Sequence, residues 1–390
     1  MSNKMIVYQF FSKKLLLFSY LVYNYIKVIK LKIIVSAGGT GGHIYPALAI
    51  IKKFQECEKD LKVLYIGTHD RMEKDIVPKM GIKYEKIEIY GFSKTKIVRD
   101  FKNVFLIYKA IKKCKSIMED FKPDVVIGVG GYVTYPVIRA AHKLGIKTFI
   151  HEQNSIAGKS NITLAKYVDL VGVSFKNSKD YFKTARKVVY TGNPCGENAL
   201  TVPKISKTTL GFKASDKLII IVAGSLGSSA FNEKFKAFLQ IVGDEDYKIL
   251  YVTGKAYYDD FVKDTKFPKN VKVVPYFDNL AGLMKDAYLL ISRAGASTIS
   301  EILALKIPSI LIPSPYVANN HQYYNALDLV NMKVAELIEE KNLTTDLIQV
   351  SINELVNNKD KYNELKKNLE KLNTKSSSTI IYEKIKEMLK

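Results

Sequence analysis

Residues 38–43 read Gly-Gly-Thr-Gly-Gly-His, directly after the apolar run Ile33-Ile34-Val35 and directly before Pro46-Ala47-Leu48-Ala49. A buried strand, a loop of four glycines and a helix start are the parts of a phosphate cradle. Glycine lets the backbone approach an anion, and the free N–H groups of a first helical turn point at it. His43 adds a group that can move a proton near neutral pH. Two commoner glycine loops are excluded. A dinucleotide fingerprint anchored on Gly39 and Gly41 needs glycine at position 44, which is Ile44, and the next strand ends in Gly67 where that fingerprint expects an acidic residue. A Walker loop needs Gly-Lys-Ser/Thr directly after its glycines, and none follows here. A plain tight turn between strand and helix remains the structural alternative.

Outward from this segment, apolar runs alternate with amphipathic stretches, the pattern of parallel α/β sheets. Strands are expected at 32–37, 62–67, 124–129, 146–151, 169–174 and 187–191. Gly192-Asn193-Pro194 breaks the series, and the Thr/Ser/Lys-rich stretch 201–216 reads as a linker. A second series begins at Lys217 and runs into another glycine turn, Gly224-Ser225-Leu226-Gly227. Further strands are expected at 248–252, 271–275, 287–292, 309–312 and 333–337, and the tail 343–390 reads as mostly helix. The fold class is therefore α/β, with two Rossmann-like domains facing across a cleft. Ligands in such sheets bind beyond the carboxyl ends of the strands, so both glycine loops would look into the cleft.

At 390 residues and 47% hydrophobic, the chain has material for two cored domains. Its three cysteines form no C-x-x-C and its five histidines have no helical ligand spacing, so neither a disulfide framework, a metal nor another cofactor is expected. The net charge of +22 raises a nucleic-acid reading, but no recognition motif accompanies it, and the Lys/Ile/Asn/Tyr-rich, Trp-free composition fits AT-rich codons. A basic surface also suits an anionic bilayer. Residues 1–30 carry five lysines and no acids, and the apolar stretch 15–29 is shorter than a spanning helix. They read as an extension foreign to the fold, with Leu31 as a non-AUG start. N-terminal sequencing that found Met1 or Ser2 would reject this.

The loop at 38–43 with Ile44-Tyr45-Pro46-Ala47-Leu48-Ala49, Gly130-Gly131-Tyr132-Val133, His151-Glu152-Gln153-Asn154 and Gly192-Asn193-Pro194 together resemble the MurG family. So do Arg293-Ala-Gly-Ala-Ser-Thr-Ile-Ser-Glu301 and Asn319-Asn-His-Gln-Tyr-Tyr-Asn325. These are bacterial N-acetylglucosaminyltransferases that convert lipid I to lipid II in peptidoglycan synthesis. The resemblance runs from about residue 31 to the C-terminus. It implies the GT-B fold, an acceptor and membrane-binding domain at 31–195, a UDP-GlcNAc-binding domain at 196–365, and a helix at 366–390 returning to the first domain. It also implies an inverting enzyme with no cofactor, acting on UDP-GlcNAc and lipid I at the cytoplasmic face of the cell membrane.

On the donor side, small residues at the helix start Ala296-Ser297-Thr298 leave N–H groups open for a diphosphate. Glu301, one turn on, can accept bonds from two ribose hydroxyls. Simple N-capping is the alternative for such a start, and the whole Arg-x-Gly-x-x-Thr-x-x-Glu context favours nucleotide. The resemblance adds Ser225, Phe277 and Gln322 to the donor set, along with Thr40, Gly41, Gly42 and Asn154. Two positions depart from the family: Leu226, where many members carry glutamine, and Gly196, where some carry arginine. On the acceptor side, the loop Gly38–His43 and the turn Gly130–Tyr132 together offer a seat for the lipid I diphosphate, which makes Gly39, Gly130, Gly131, Tyr132 and Glu152 the acceptor candidates, although Glu152 also suits a structural role. His43 is the candidate general base.

In 101–111, Phe101, Val104, Phe105, Tyr108 and Ile111 recur at helical spacing among lysines. Core burial is the ordinary reading of such a face, above all for Phe105 and Tyr108. An apolar stripe rimmed by lysines also fits an interfacial helix, and the family places its membrane patch here, which marks Phe101, Lys102 and Phe105. The competing functions are a GT-B glycolipid synthase acting on diacylglycerol and a basic nucleic-acid-binding protein.

Overall fold

The computed structural model describes residues 30–91, 97–224, 227–243, 245–372 and 376–390, without the side chains of 97–102. Ser225, Leu226 and residues 1–29, on which the expectation of an extension falls, therefore lie outside the described residues, as do the side chains of Phe101 and Lys102.

The first half forms a seven-stranded parallel sheet. Its strands are β1 (Lys32–Ser36), β2 (Lys62–Thr68), β3 (Lys83–Ile87), β4 (Val125–Gly128), β5 (Lys147–Glu152), β6 (Leu170–Val173) and β7 (Val188–Tyr190). They lie in the order β3-β2-β1-β4-β5-β6-β7. The second half forms a six-stranded parallel sheet from β8 (Lys217–Val222), β9 (Tyr247–Val252), β10 (Val271–Val274), β11 (Leu289–Ser292), β12 (Ser309–Leu311) and β13 (Ala335–Leu337). Its order is β10-β9-β8-β11-β12-β13. Both are doubly wound. Strand order reverses between β1 and β4 in one sheet and between β8 and β11 in the other, and a crevice opens at such a point.

The central strands are buried on both faces, which explains their unbroken apolar runs. Alternate residues of the first sheet serve different layers: Ile34, Leu64, Val126 and Ile150 pack on one side. Ile33, Val35, Tyr65, Ile127 and Phe149 pack on the other. The second sheet divides likewise, with Ile219, Ile221 and Ile249 against Leu218, Ile220 and Leu250.

Twelve strands fall where the apolar runs place them, but β3 is an addition. Three of the five residues in its sequence Lys-Tyr-Glu-Lys-Ile are charged and it lies at a sheet edge, so no apolar run announces it. The stretch 201–216 is no loose connector. Lys207 N–H donates to Asp286 at 2.9 Å, Lys204 pairs with Asp286 at 2.7 Å, and Leu210 is buried in the second domain's core.

The last helix, Ser377–Leu389, lies on the first domain. Ile381 and Ile385 are fully buried there among Phe54 and Val35, each burial contributing about 1.5–3 kcal/mol. Tyr382 meets the Phe54 ring edge-on at 5.0 Å and donates to Glu58 at 2.7 Å. Its N-terminus is capped by Glu197, which accepts from Ser378 N–H at 2.6 Å, so the two chain crossings between domains hold each other.

Candidate active site

The switch point of the first sheet is built by two glycine turns in contact. Gly38 N–H donates to Gly130 O at 3.3 Å. Gly130 and Gly131 have φ of +99° and +84°, which disfavours any other residue. Space demands glycine too: a Cβ on Gly131 would lie 2.4 Å from Gly38 O, and one on Gly130 would lie 2.9 Å from His43 Nε2. Thr134 ties the turn down by donating its hydroxyl to Gly130 O at 2.8 Å.

The helix Gly41–Cys57 starts without a side-chain cap, and the Gly41 and Gly42 N–H groups have no partner among the described residues, whereas His43 N–H donates to Thr40 O at 3.1 Å. His43 is half-buried in that turn. Its Nδ1 lies 3.2 Å from Gly38 O, a group that can only accept, so Nδ1 carries the proton and Nε2 keeps its lone pair. Loss of water around the ring lowers its pKa, opposed by Glu152 and Glu73, while His321 pushes it down further. A neutral imidazole with a free Nε2 is the form a general base needs.

Behind the loop sits Glu73, fully buried, and no sequence motif marks it. It accepts from Gly39 N–H at 3.2 Å, Thr68 N–H at 3.1 Å and the Thr68 hydroxyl at 2.6 Å. A lone glutamate in an amphipathic helix looks like any solvated one until β1 and β2 bring the loop to it.

At the second switch point, the helix Ala296–Leu305 follows β11. Its N-cap, Gly295, provides no side-chain bond, so the first-turn N–H groups are again open. Glu301 has no hydrogen-bond partner among the described residues, and burial raises its carboxyl pKa to about 7. An unpartnered carboxyl at that depth is suited to hydroxyl donors from a ligand. Ser297 and Thr298 are half-buried, and the Ser297 hydroxyl lies 3.6 Å from Cys195 Sγ.

Arg293, within the same motif, is structural. Its guanidinium donates to Ile312 O at 3.2 Å, Pro313 O at 3.3 Å and Ser228 at 3.1 Å, and it pairs with buried Glu340. Phe277 is packed against the domain core, while its neighbour Tyr276 is exposed beneath Lys255 at 4.8 Å. Gln322 accepts from Ser314 N–H at 2.9 Å, which leaves its NH2 group available. It lies just past Asn319 and Asn320, whose φ values of +55° and +50° make this a strained corner.

The two halves meet. The helices starting at Gly41 and Ala296 pack directly on each other, and His321 of the second domain acts on His43 of the first. Asn325 is the central clasp: its Oδ1 accepts from Ser155 N–H at 2.8 Å, and its Nδ2 donates to Asn154 Oδ1 at 3.3 Å. Asp328 accepts from Ser155 at 2.7 Å and from Asn177 at 2.6 Å. Asn154 thus lies at the domain seam. Glu152 is buried and accepts from Asn154 N–H, Gly158 N–H and Asn161, so it shapes this loop. Tyr132 borders the first cradle and accepts from Arg71.

Residues 33–173 match the glycosyltransferase family 28 N-terminal domain and residues 218–381 its C-terminal domain. Relatives from Bacillus licheniformis and Bacillus cytotoxicus are 41% and 39% identical over 363 and 364 residues. Each alignment covers 92% of this chain, with 99% and 100% of the relative respectively. Both are named UDP-N-acetylglucosamine–N-acetylmuramyl-(pentapeptide) pyrophosphoryl-undecaprenol N-acetylglucosamine transferase. The chain belongs to this family, the MurG transferases. The crystal structure of Acinetobacter baumannii MurG superposes with a TM-score of 0.74 at 28% identity, covering 92% of this chain and 99% of that one. The glycosyltransferase of kitacinnamycin shares the fold at 15% identity and a TM-score of 0.68. Two facing parallel-sheet domains are thus the GT-B architecture of this family.

MurG membership gives the Gly196 departure a physical reason. The helix Cys195–Thr201 presses so closely on Ala296–Leu305 that a Cβ at 196 would lie 2.5 Å from Ser300 O. No side chain fits there unless the helices part.

Helix Ile97–Phe121 requires a correction. Phe105 and Tyr108 are not core: they are 68% and 67% exposed, and Val104 is 60% exposed. The buried face is Ala110, Cys114 and Met118.

Proposed function

We propose that this MurG-family enzyme transfers N-acetylglucosamine from UDP-GlcNAc to the 4-hydroxyl of the muramoyl sugar of lipid I, with inversion. The observation that carries the reading is the contact across the cleft between the helix that carries His43 and the helix that starts at Ala296, each with an uncapped N-terminus. Each is suited to an anion, and the transfer needs two diphosphates side by side.

In this mechanism UDP lies with its diphosphate on the N–H groups of Ala296, Ser297 and Thr298. Its ribose hydroxyls donate to Glu301, and Gln322 offers its NH2 to the donor sugar. Lipid I lies across Gly41, Gly42 and the turn Gly130–Tyr132. The acceptor hydroxyl gives its proton to His43 Nε2 as its oxygen attacks the anomeric carbon from the face opposite UDP. The Nδ1–H bond to Gly38 O holds the ring and steadies the imidazolium that forms. The N–H groups at Ala296 stabilise the charge that develops on the departing diphosphate.

Peripheral attachment to the cytoplasmic face of the membrane belongs to the same proposal. Val104, Phe105 and Tyr108 form an exposed apolar strip beside exposed Lys109, Lys112 and Lys113, the composition of an interfacial helix. Among the described residues no helix is long and apolar enough to span a membrane. Transfer of radiolabelled sugar from UDP-GlcNAc to lipid I tests the activity; a purified, folded enzyme that labels diacylglycerol instead would overturn it.

A further inference from the structure

The acceptor cradle has a charge problem. Glu73 is fully buried beneath the first glycine turn and takes the Gly39 N–H for itself. Glu152 is a second buried carboxylate, close enough to act on His43. A diphosphate placed against these turns adds negative charge beside two carboxylates. His43 is neutral as the base and cannot answer it.

Arg71 is placed to answer it. It stands two residues before Glu73, on the loop that leaves β2. Its backbone N–H donates at 3.2 Å to Thr68 Oγ1, the hydroxyl that itself donates to Glu73. Its Nε donates at 3.3 Å to the Tyr132 phenol, on the second glycine turn. Main chain and side chain are thus both fixed to the cradle, one to each turn's support. The side chain is nevertheless exposed, and Nη1 and Nη2 have no partner among the described residues. An ordinary surface arginine swings freely; this one has its plane oriented by a phenol while its paired η donors stay unused. Two parallel N–H donors match two phosphate oxygens.

We propose that Arg71, oriented by Tyr132, binds the diphosphate of the acceptor and offsets the buried carboxylates beneath the glycine turns. The inference rests on the transferase reading above and adds a residue to it. The experiment uses the full chain, UDP-GlcNAc and a muramoyl acceptor joined by diphosphate to a short prenyl chain. Arg71→Ala is expected to raise the acceptor KM by about tenfold or more, the loss of a charge-assisted pair. UDP affinity by calorimetry stays unchanged. Arg71→Lys restores part of the loss, because charge returns without the fork, and Tyr132→Phe gives a smaller rise of the same kind. An unchanged acceptor KM in a folded Arg71→Ala protein overturns the proposal, as does a parallel fall in UDP affinity. A wild-type enzyme that labels no diphosphate acceptor removes the transferase reading itself.

Discussion

His43 and Glu301 occupy comparable places, each early in a helix that starts uncapped at a switch point, yet their surroundings differ. His43 belongs to a half that is already assembled: Gly38 N–H is bonded to Gly130 O, the Thr134 hydroxyl to the same oxygen, and Gly39 N–H to Glu73. Glu301 belongs to a half left open, with no partner for its carboxyl among the described residues, no side-chain cap at Gly295 and two left-handed asparagines beside Gln322. Preassembly suits the site that must hold a base in one tautomer. Openness suits a site whose missing partners come with the nucleotide. Burial pushes both groups toward their neutral forms, by lowering one pKa and raising the other.

Removing the base is the largest test of this contrast. His43→Ala is expected to lower turnover by about 10²–10⁴ while UDP affinity is unaffected. Turnover within threefold of wild type would place the base elsewhere. Next in size is the preassembled support. Glu73→Ala leaves Gly39 N–H, Thr68 N–H and the Thr68 hydroxyl without their acceptor, a cost of about 2–4 kcal/mol in denaturant unfolding. A change under about 0.5 kcal/mol would mean the loop does not depend on it.

The open half responds to crowding at its helix. Gly196→Ala pushes a methyl against Ser300 O, at an expected cost of about 1–3 kcal/mol, read as weaker UDP binding or a lower melting temperature. No change in either would show that the two helices part freely. The smallest effect is in pH dependence. Glu301 titrates near 4.5 ordinarily and near 7 here, so the folded free enzyme holds a proton there that the unfolded chain has lost. Its contribution to stability therefore falls as pH rises from about 4.5 to 7 and is level above. Ribose hydroxyls favour the charged form, so binding releases that proton, and UDP affinity should rise with pH up to about 7. Calorimetry should find this rise in wild type and its loss in Glu301→Gln; equal slopes in both would separate Glu301 from the nucleotide.

What the sequence discloses follows the same division. Gly38–His43, Gly130–Gly131 and Ala296–Glu301 are legible because a glycine turn after an apolar strand has a local meaning. Glu73, Arg71 and the Asn325 clasp are not, since their partners lie far along the chain or across the domain seam. Phe105 and Tyr108 misled for a related reason. Helical spacing shows that they share a face, not which face the domain covers, and the buried side belongs to Ala110, Cys114 and Met118. The edge strand β3 escaped because three of its five residues are charged and form no apolar run.

The central claim is a single direct displacement between two ligands held in one crevice. The most direct measurement is the anomeric configuration of the new glycosidic bond, read by proton coupling in the NMR spectrum of product made from α-linked UDP-GlcNAc. One displacement assisted by His43 gives the β-linked disaccharide. An α-linked product would contradict the account.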